Sequence, residues 1–308
     1  MKLETEKLLG TLEILARRPF FWDTEKWGKF NVWNLMRSEG CVNLTDVEVA
    51  LAEPSGSYLA HWQNVEHWGT PTNQIGDSWE YAPLRDERDD DWNAEIEAFR
   101  VERYQQLLTL LKAELSDLQA FRLTTVEHLQ RRYPDFCFYI LIGKTEDGDW
   151  FCLSPIVPDQ VSDYDFEPPK IGLKETNSLN PKTLDLQRKI DNILSEIPPI
   201  TLYGYYGGGY DYTYEHQIVY AIADSKILAV EKALQAAQML IVEDSDLEFS
   251  SDESGDSRKL CQFFIDKLGD PKIYSLSFWD IGYIFEVAET PNGDWLGVQK
   301  ILEFDYNP

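Results

Sequence analysis

Groups that carry metal or covalent chemistry are scarce in this chain of 308 residues, which has four cysteines, four histidines and three methionines. Cys41, Cys137, Cys152 and Cys261 show no CxxC spacing, and two of them, Cys137 and Cys152, sit in apolar runs where a thiol acts as a small hydrophobe. That usage suits a reducing compartment. His61, His67, His128 and His216 are scattered, without HExxH or a Cys/His cluster, so neither a metal nor a cofactor is expected. No Gly-x-Ser-x-Gly elbow appears, and Gly207-Gly208-Gly209 is not followed by the Lys-Ser or Lys-Thr of a phosphate loop. Nothing in this inventory asks for an enzyme.

Long apolar runs are also missing. No stretch approaches a membrane span, and Met1-Lys2-Leu3-Glu4-Thr5-Glu6 alternates charge where a signal peptide would be apolar, so a cytoplasmic protein is expected. Positive charge is in short supply: 28 Lys and Arg stand against 54 Asp and Glu, a net of −26. Nucleic-acid affinity comes from cationic side chains displacing counterions, so direct binding to nucleic acid is excluded, and anionic membranes would be repelled. An acidic chain is steered instead to a basic protein surface, such as that of a nuclease or a DNA-binding protein.

What the chain does have is self-similarity. An amphipathic run through Tyr104, Leu107, Leu108 and Leu111 leads to a strand at Phe138–Gly143, the pair Asp147-Gly148, and a strand from Trp150 to Val157. The order returns through Leu260, Phe264 and Leu268, then Tyr283–Ala288, Asn292-Gly293, and a strand from Trp295 to Leu302. Gly148-Asp149-Trp150 and Gly293-Asp294-Trp295 match literally. A repeat of this period predicts two like domains in tandem, 1–158 and 180–308, joined by a Pro-, Gly- and polar-rich linker at 159–179.

Helical spacing predicts a helix over Thr5–Arg18, and its counterpart opens at Asn180-Pro181, a cap followed by proline at the first helical position. Aromatic residues after Pro19 predict a short strand, a polar loop at 23–28 and a second strand at Phe30–Leu35. Asn43–Leu51 reads as a strand, Ser57–Val65 as a short helix, Trp92–Leu115 as a long helix, Gln217–Ala223 as a strand and Ile227–Met239 as a helix. Glu243–Asp256 reads as a loop. Asp-Gly and Asn-Gly point to type I′ hairpin turns.

Aromatics beside acids suit a protein-binding surface, and Trp27 stands among Asp23, Glu25 and Lys26. Asp91-Trp92, the twelve residues on to Tyr104-Gln105-Gln106-Leu107-Leu108, Asp117–Leu123 and Ile142-Gly143 resemble the nuclease A inhibitor family. The second half resembles it in Asp270–Tyr274, Val287–Asn292 and Gly297–Glu303. The resemblance implies an α+β fold of two tandem α-β-α sandwich domains. It also implies binding, through acidic and aromatic loops and a terminal carboxylate, to the active site of a metal-dependent, sugar-nonspecific endonuclease. Matched residue by residue, it nominates Asp90 and Trp92, Asp23 or Glu25, and the place of Asp305. The departures are that Tyr306-Asn307-Pro308 run past the terminal position and that Ser245 stands where the second copy would have its tryptophan. An adaptor that presents two similar domains to a different basic partner is the competing expectation, because function belongs to the site and not to the fold.

Overall fold

The computed structural model describes residues 2–52, 94–124, 137–155, 179–198, 200–206, 210–216, 218–245, 257–277 and 281–303, and the chain is α+β. In chain order come α1 (Leu3–Leu15), β1 (Pro19–Trp22), α2 (Thr24–Trp27), α3 (Val32–Ser38), β2 (Val42–Thr45) and α4 (Val47–Ala52). Next are α5 (Ala94–Glu114), β3 (Leu115–Thr124), β4 (Cys137–Thr145), β5 (Trp150–Pro155) and α6 (Pro181–Glu196). A ribbon of β6 (Ile200–Tyr206) and β7 (Tyr210–His216) precedes β8 (Ile218–Ala223) and α7 (Lys226–Ala236). The last segment carries β9 (Leu240–Asp244), α8 (Ser257–Lys267), β10 (Lys272–Ser277), β11 (Ile281–Glu289) and β12 (Trp295–Glu303).

These elements form two compact units that do not follow the two halves of the sequence. One holds the described residues up to Glu39 and from Met239 onward; the other holds those between Gly40 and Gln238. The first unit has an antiparallel sheet ordered β1-β12-β11-β10-β9, and the second has β2-β3-β4-β5-β8. The orders are the same once β9, β10, β11, β12 and β1 are matched with β2, β3, β4, β5 and β8. Contiguous domains at 1–158 and 180–308 would put β1 beside β5. Instead Trp22 pairs with Trp295, and Ala223 pairs with Trp150.

In the first unit α1 and α8 cover one face, with Leu12, Leu260 and Phe264 packed on Ala288, Leu296 and Val298. Phe30, ahead of α3, packs on the opposite face, its ring 5.0 Å from those of Tyr274 and Trp295. In the second unit Leu107 and Leu111 of α5 and Leu186, Ile190 and Leu194 of α6 lie over Phe151, Leu153 and Tyr220. Helix α7 packs on β5 and β8 and buries Ala229, Val230, Ala233 and Leu234. Alternate strand residues point to opposite faces, so both sheets are apolar on both sides. Each unit is therefore an antiparallel sheet with helices packed on it: α1 and α8 in the first, α5, α6 and α7 in the second.

Several local expectations give way. Phe30–Leu35 is mostly helix, because Asn31 caps α3 by accepting from the Asn34 N–H at 2.8 Å, and Val32, Trp33, Leu35 and Met36 bury at helical spacing. Of the strand expected at Asn43–Leu51 only 43–45, the end of β2, is extended before α4 begins, and 23–28 holds the short helix α2. Part of the acidic loop is strand β9, held by β10. The hairpins are not type I′, since among their turn residues only Gly148 (φ +96) and Gly293 (φ +84) are left-handed. Thr145 O accepts from Gly148 N at 3.0 Å and Thr290 O from Gly293 N at 2.9 Å, as in a type I turn followed by a bulge glycine. Pro291 fixes φ near −65° and forbids the I′ form. The helix expected at 57–65 and most of the linker at 159–179 lie outside the described residues.

Candidate partner-binding site

The best-defined of the sequence-nominated residues occupy the turn that leaves β1. Asp23 has a structural duty: its Oδ1 accepts from the backbone N–H groups of Glu25 (3.1 Å) and Lys26 (3.2 Å), capping α2. Thr24 Oγ1 donates to Gly293 O at 2.9 Å, tying α2 to the β11–β12 hairpin. Trp27 stacks on the buried Trp22, centroids 6.0 Å apart, and Lys26 Nζ lies 4.8 Å over the Trp27 ring. Trp22 Nε1 donates to Gly28 O at 3.0 Å, and Gly28 (φ +75) ends the turn. Glu25 is exposed, and Trp27 is half-buried. The turn thus carries the exposed Glu25 two residues before the half-buried Trp27, on a base set by hydrogen bonds.

That base draws on both ends of the chain. Thr5 in α1 donates to Asp294 Oδ2 at 2.7 Å, both side chains buried, and Asn292 Nδ2 donates to Glu4 Oε2 at 2.9 Å. The second unit repeats the lock: Thr183 in α6 donates to Asp149 Oδ2 at 2.7 Å, again buried. The sequence separations are 289 and 34 residues, yet the contact is the same. Thr5 and Thr183 were not nominated from sequence. The Gly-Asp-Trp match was visible there; the threonine each Asp accepts from was not.

Asp90, Trp92 and Asp305 lie outside the described residues. Asp23, Glu25 and Trp27 belong to the first unit, whereas α5 and the strands after it belong to the second. In the second unit a cleft of about 300 Å³ is lined by Glu114, Thr145, Glu146, Pro181, Lys182, Asp185 and Leu186. Its lysine is paired: Lys182 meets Glu146, and the neighbouring Lys189 holds Glu114 (2.7 Å) and Asp185 (2.9 Å). Hydrogen bonds to Glu146 and to Glu114 raise Lys182 and Lys189 above the ordinary lysine value, keeping both as counter-ions. Among the described residues no group of three His, Cys, Asp or Glu could hold a metal ion. No described helix is long and apolar enough to cross a membrane.

Residues 81–157 match the family described as nuclease A inhibitor-like protein. The match spans α5 to β5, the core of the second unit. No curated protein and no solved structure matches the chain. The inhibitor-like segment contains the Gly148 hairpin and Asp149; the corresponding hairpin of the first unit carries Asp294 in the same lock.

Proposed function

We propose that this chain is a non-catalytic, acidic protein-binding protein built from two copies of an inhibitor-like module, and that it occupies the basic active-site cleft of a partner protein. A metal-dependent, sugar-nonspecific endonuclease is the partner this reading names. The observation that carries it is the inhibitor-like match over 81–157. The identical strand orders and the repeated Thr–Asp lock support the doubling of the module. A net charge of −26 supports a basic partner, and the exposed Glu25 beside Trp27 supports a contact made by an acid and a ring. Asp23 serves by capping the turn, and Asp90, Trp92 and Asp305 stay in the proposal on the sequence resemblance alone.

The test is titration of such a nuclease with the full chain while hydrolysis of DNA is followed. Loss of activity that saturates as the protein is added is the expected result; undiminished hydrolysis at a large excess removes nuclease inhibition. The adaptor reading rests on the net charge of −26 alone, and it predicts that the chain binds a basic protein without blocking that protein's chemistry.

A further inference from the structure

The two sheets have the same order but take their closing strand from opposite sides in sequence. Strand β8 follows the sheet that it closes, whereas β1 precedes its sheet, with all of 40–238 standing between them in the chain. A short covalent tether is therefore not what seats the closing strand; pairing and side chains are. The segment up to Glu39 brings a specific set of them. Pro19, Phe20, Phe21 and Trp22 pair with Val298, Gly297, Leu296 and Trp295, Thr5 donates to Asp294 Oδ2 at 2.7 Å, Thr24 donates to Gly293 O at 2.9 Å, and Phe30 stacks on Trp295. Release into water would expose the buried Leu12, Phe20 and Trp22 and leave β12 without its neighbour, so the segment has to close a sheet of this kind. Among the described residues the other sheet of that order already carries β8. The segment joins the rest of the chain at a single crossing: Glu39, Gly40 and Cys41 lie between α3 and β2, and Gly40 is left-handed (φ +75), with nothing within 4 Å of where a Cβ would stand.

We propose that a second copy of this chain is a partner for that seat: the segments 1–39 of two chains trade places, each pairing its β1 with the β12 of the other, in a two-fold dimer that changes the backbone path only at 39–41. A segment hung on one crossing, with a complete set of contacts waiting on an identical molecule, is what exchange between protomers requires. The contacts remade are the same in both forms, so the balance is set by protein concentration against the effective concentration of the tethered segment, about 1 mM. The hinge supplies the second control. Glycine adopts the left-handed turn at Gly40 without steric cost, and a β-branched residue there opposes the monomer's path at both hinges of a dimer. The proposal needs neither a nuclease nor any other basic partner, so it stands or falls apart from the partner-binding reading.

The test holds the full chain in sub-denaturing urea at two concentrations, returns it to buffer and sizes it by chromatography with light scattering. Mass action at that effective concentration gives about 40% dimer at about 0.5 mM chain and about 1% at about 5 μM. G40V, purified without urea, should hold its dimer about tenfold more tightly or better. A cross-link reads which surfaces meet. Asn292 Nδ2 donates to Glu4 Oε2 at 2.9 Å on the exposed side of the seat, so E4C chains mixed with N292C chains and treated with a short bis-maleimide should yield a peptide joining the two substituted positions, in the dimer peak and not in the monomer peak. Monomer alone at both concentrations, in wild type and in G40V, overturns the exchange. A dimer that lacks the linked peptide is held by some other surface and overturns it as well.

Discussion

Replacing Thr183 with valine isolates the lock that joins α6 to the β4–β5 hairpin. Valine keeps the shape, so no cavity forms. What disappears is the 2.7 Å donation to Asp149 Oδ2 and the 3.0 Å contact with Thr145 Oγ1, both fully buried. Hydrogen bonds to a charged group contribute about 1.5–3 kcal/mol, and a buried acceptor left short of a donor adds to the loss, so about 2 kcal/mol is expected. With a urea slope of about 2 kcal/mol per molar, the unfolding midpoint of the second unit should fall by about 1 M. T5V should cost the first unit as much, because Thr5 donates to Asp294 at the same 2.7 Å. T11V is the control: Thr11 Oγ1 bonds only to Lys7 O, one turn back on the exposed side of α1, and its loss should stay within about 0.5 kcal/mol. If T183V and T5V both behave like T11V, the buried lock contributes nothing and the argument built on it is wrong.

Glycine positions give a second test with opposite signs. At Gly297 an added Cβ would lie 2.0 Å from Glu286 O and 2.7 Å from Val287 Cα, both backbone, so G297A should destabilise by about 3 kcal/mol by urea unfolding. At Gly10, inside α1 with nothing within 4 Å, alanine should stabilise by about 0.5–1 kcal/mol. Alkaline pH supplies a third. Burial pushes the Tyr104 hydroxyl up to about 12, against a partly offsetting Arg100, and burial together with Asp191 pushes Tyr220 up as well. The fold holds both phenols neutral while the unfolded chain ionises them near pH 10, so stability is intact below about pH 10 and falls as the pH climbs towards 12. Urea midpoints at pH 8 and pH 11 should show the drop, and the Y104F/Y220F double variant should flatten it. Finally, burial raises the Cys152 thiol and keeps it inert, whereas Cys261 is half-exposed, so a thiol reagent should label Cys261 at least tenfold faster in the native protein.

The chain's local structure was legible wherever one physical signal dominated. Asn180-Pro181 announces α6, and the apolar period from Tyr104 to Leu111 announces α5, because caps and periodicity act within a few residues. Around 30–35 two signals competed: aromatic content favours a strand, but the Asn31 cap and the burial of Val32, Leu35 and Met36 make a helix. At the candidate site the pairing of acid and ring in Asp23, Glu25 and Trp27 could be read directly, while the duty of Asp23 as a cap and the tie from Thr24 to Gly293 could not.

Net charge, the doubled Gly-Asp-Trp hairpin and the alternation of helices with strands were determined by the sequence alone, since each is a property of composition or near neighbours. Which strand closes which sheet was decided only in three dimensions. The open edges of β5 and β12 can each accept an antiparallel strand, and backbone hydrogen bonding does not distinguish β1 from β8. The choice falls to side chains far apart in the sequence: Thr5 on Asp294, Thr24 on Gly293, and Phe30 stacked on Trp295 and edge-to-face with Tyr274 hold the first 39 residues to the C-terminal sheet.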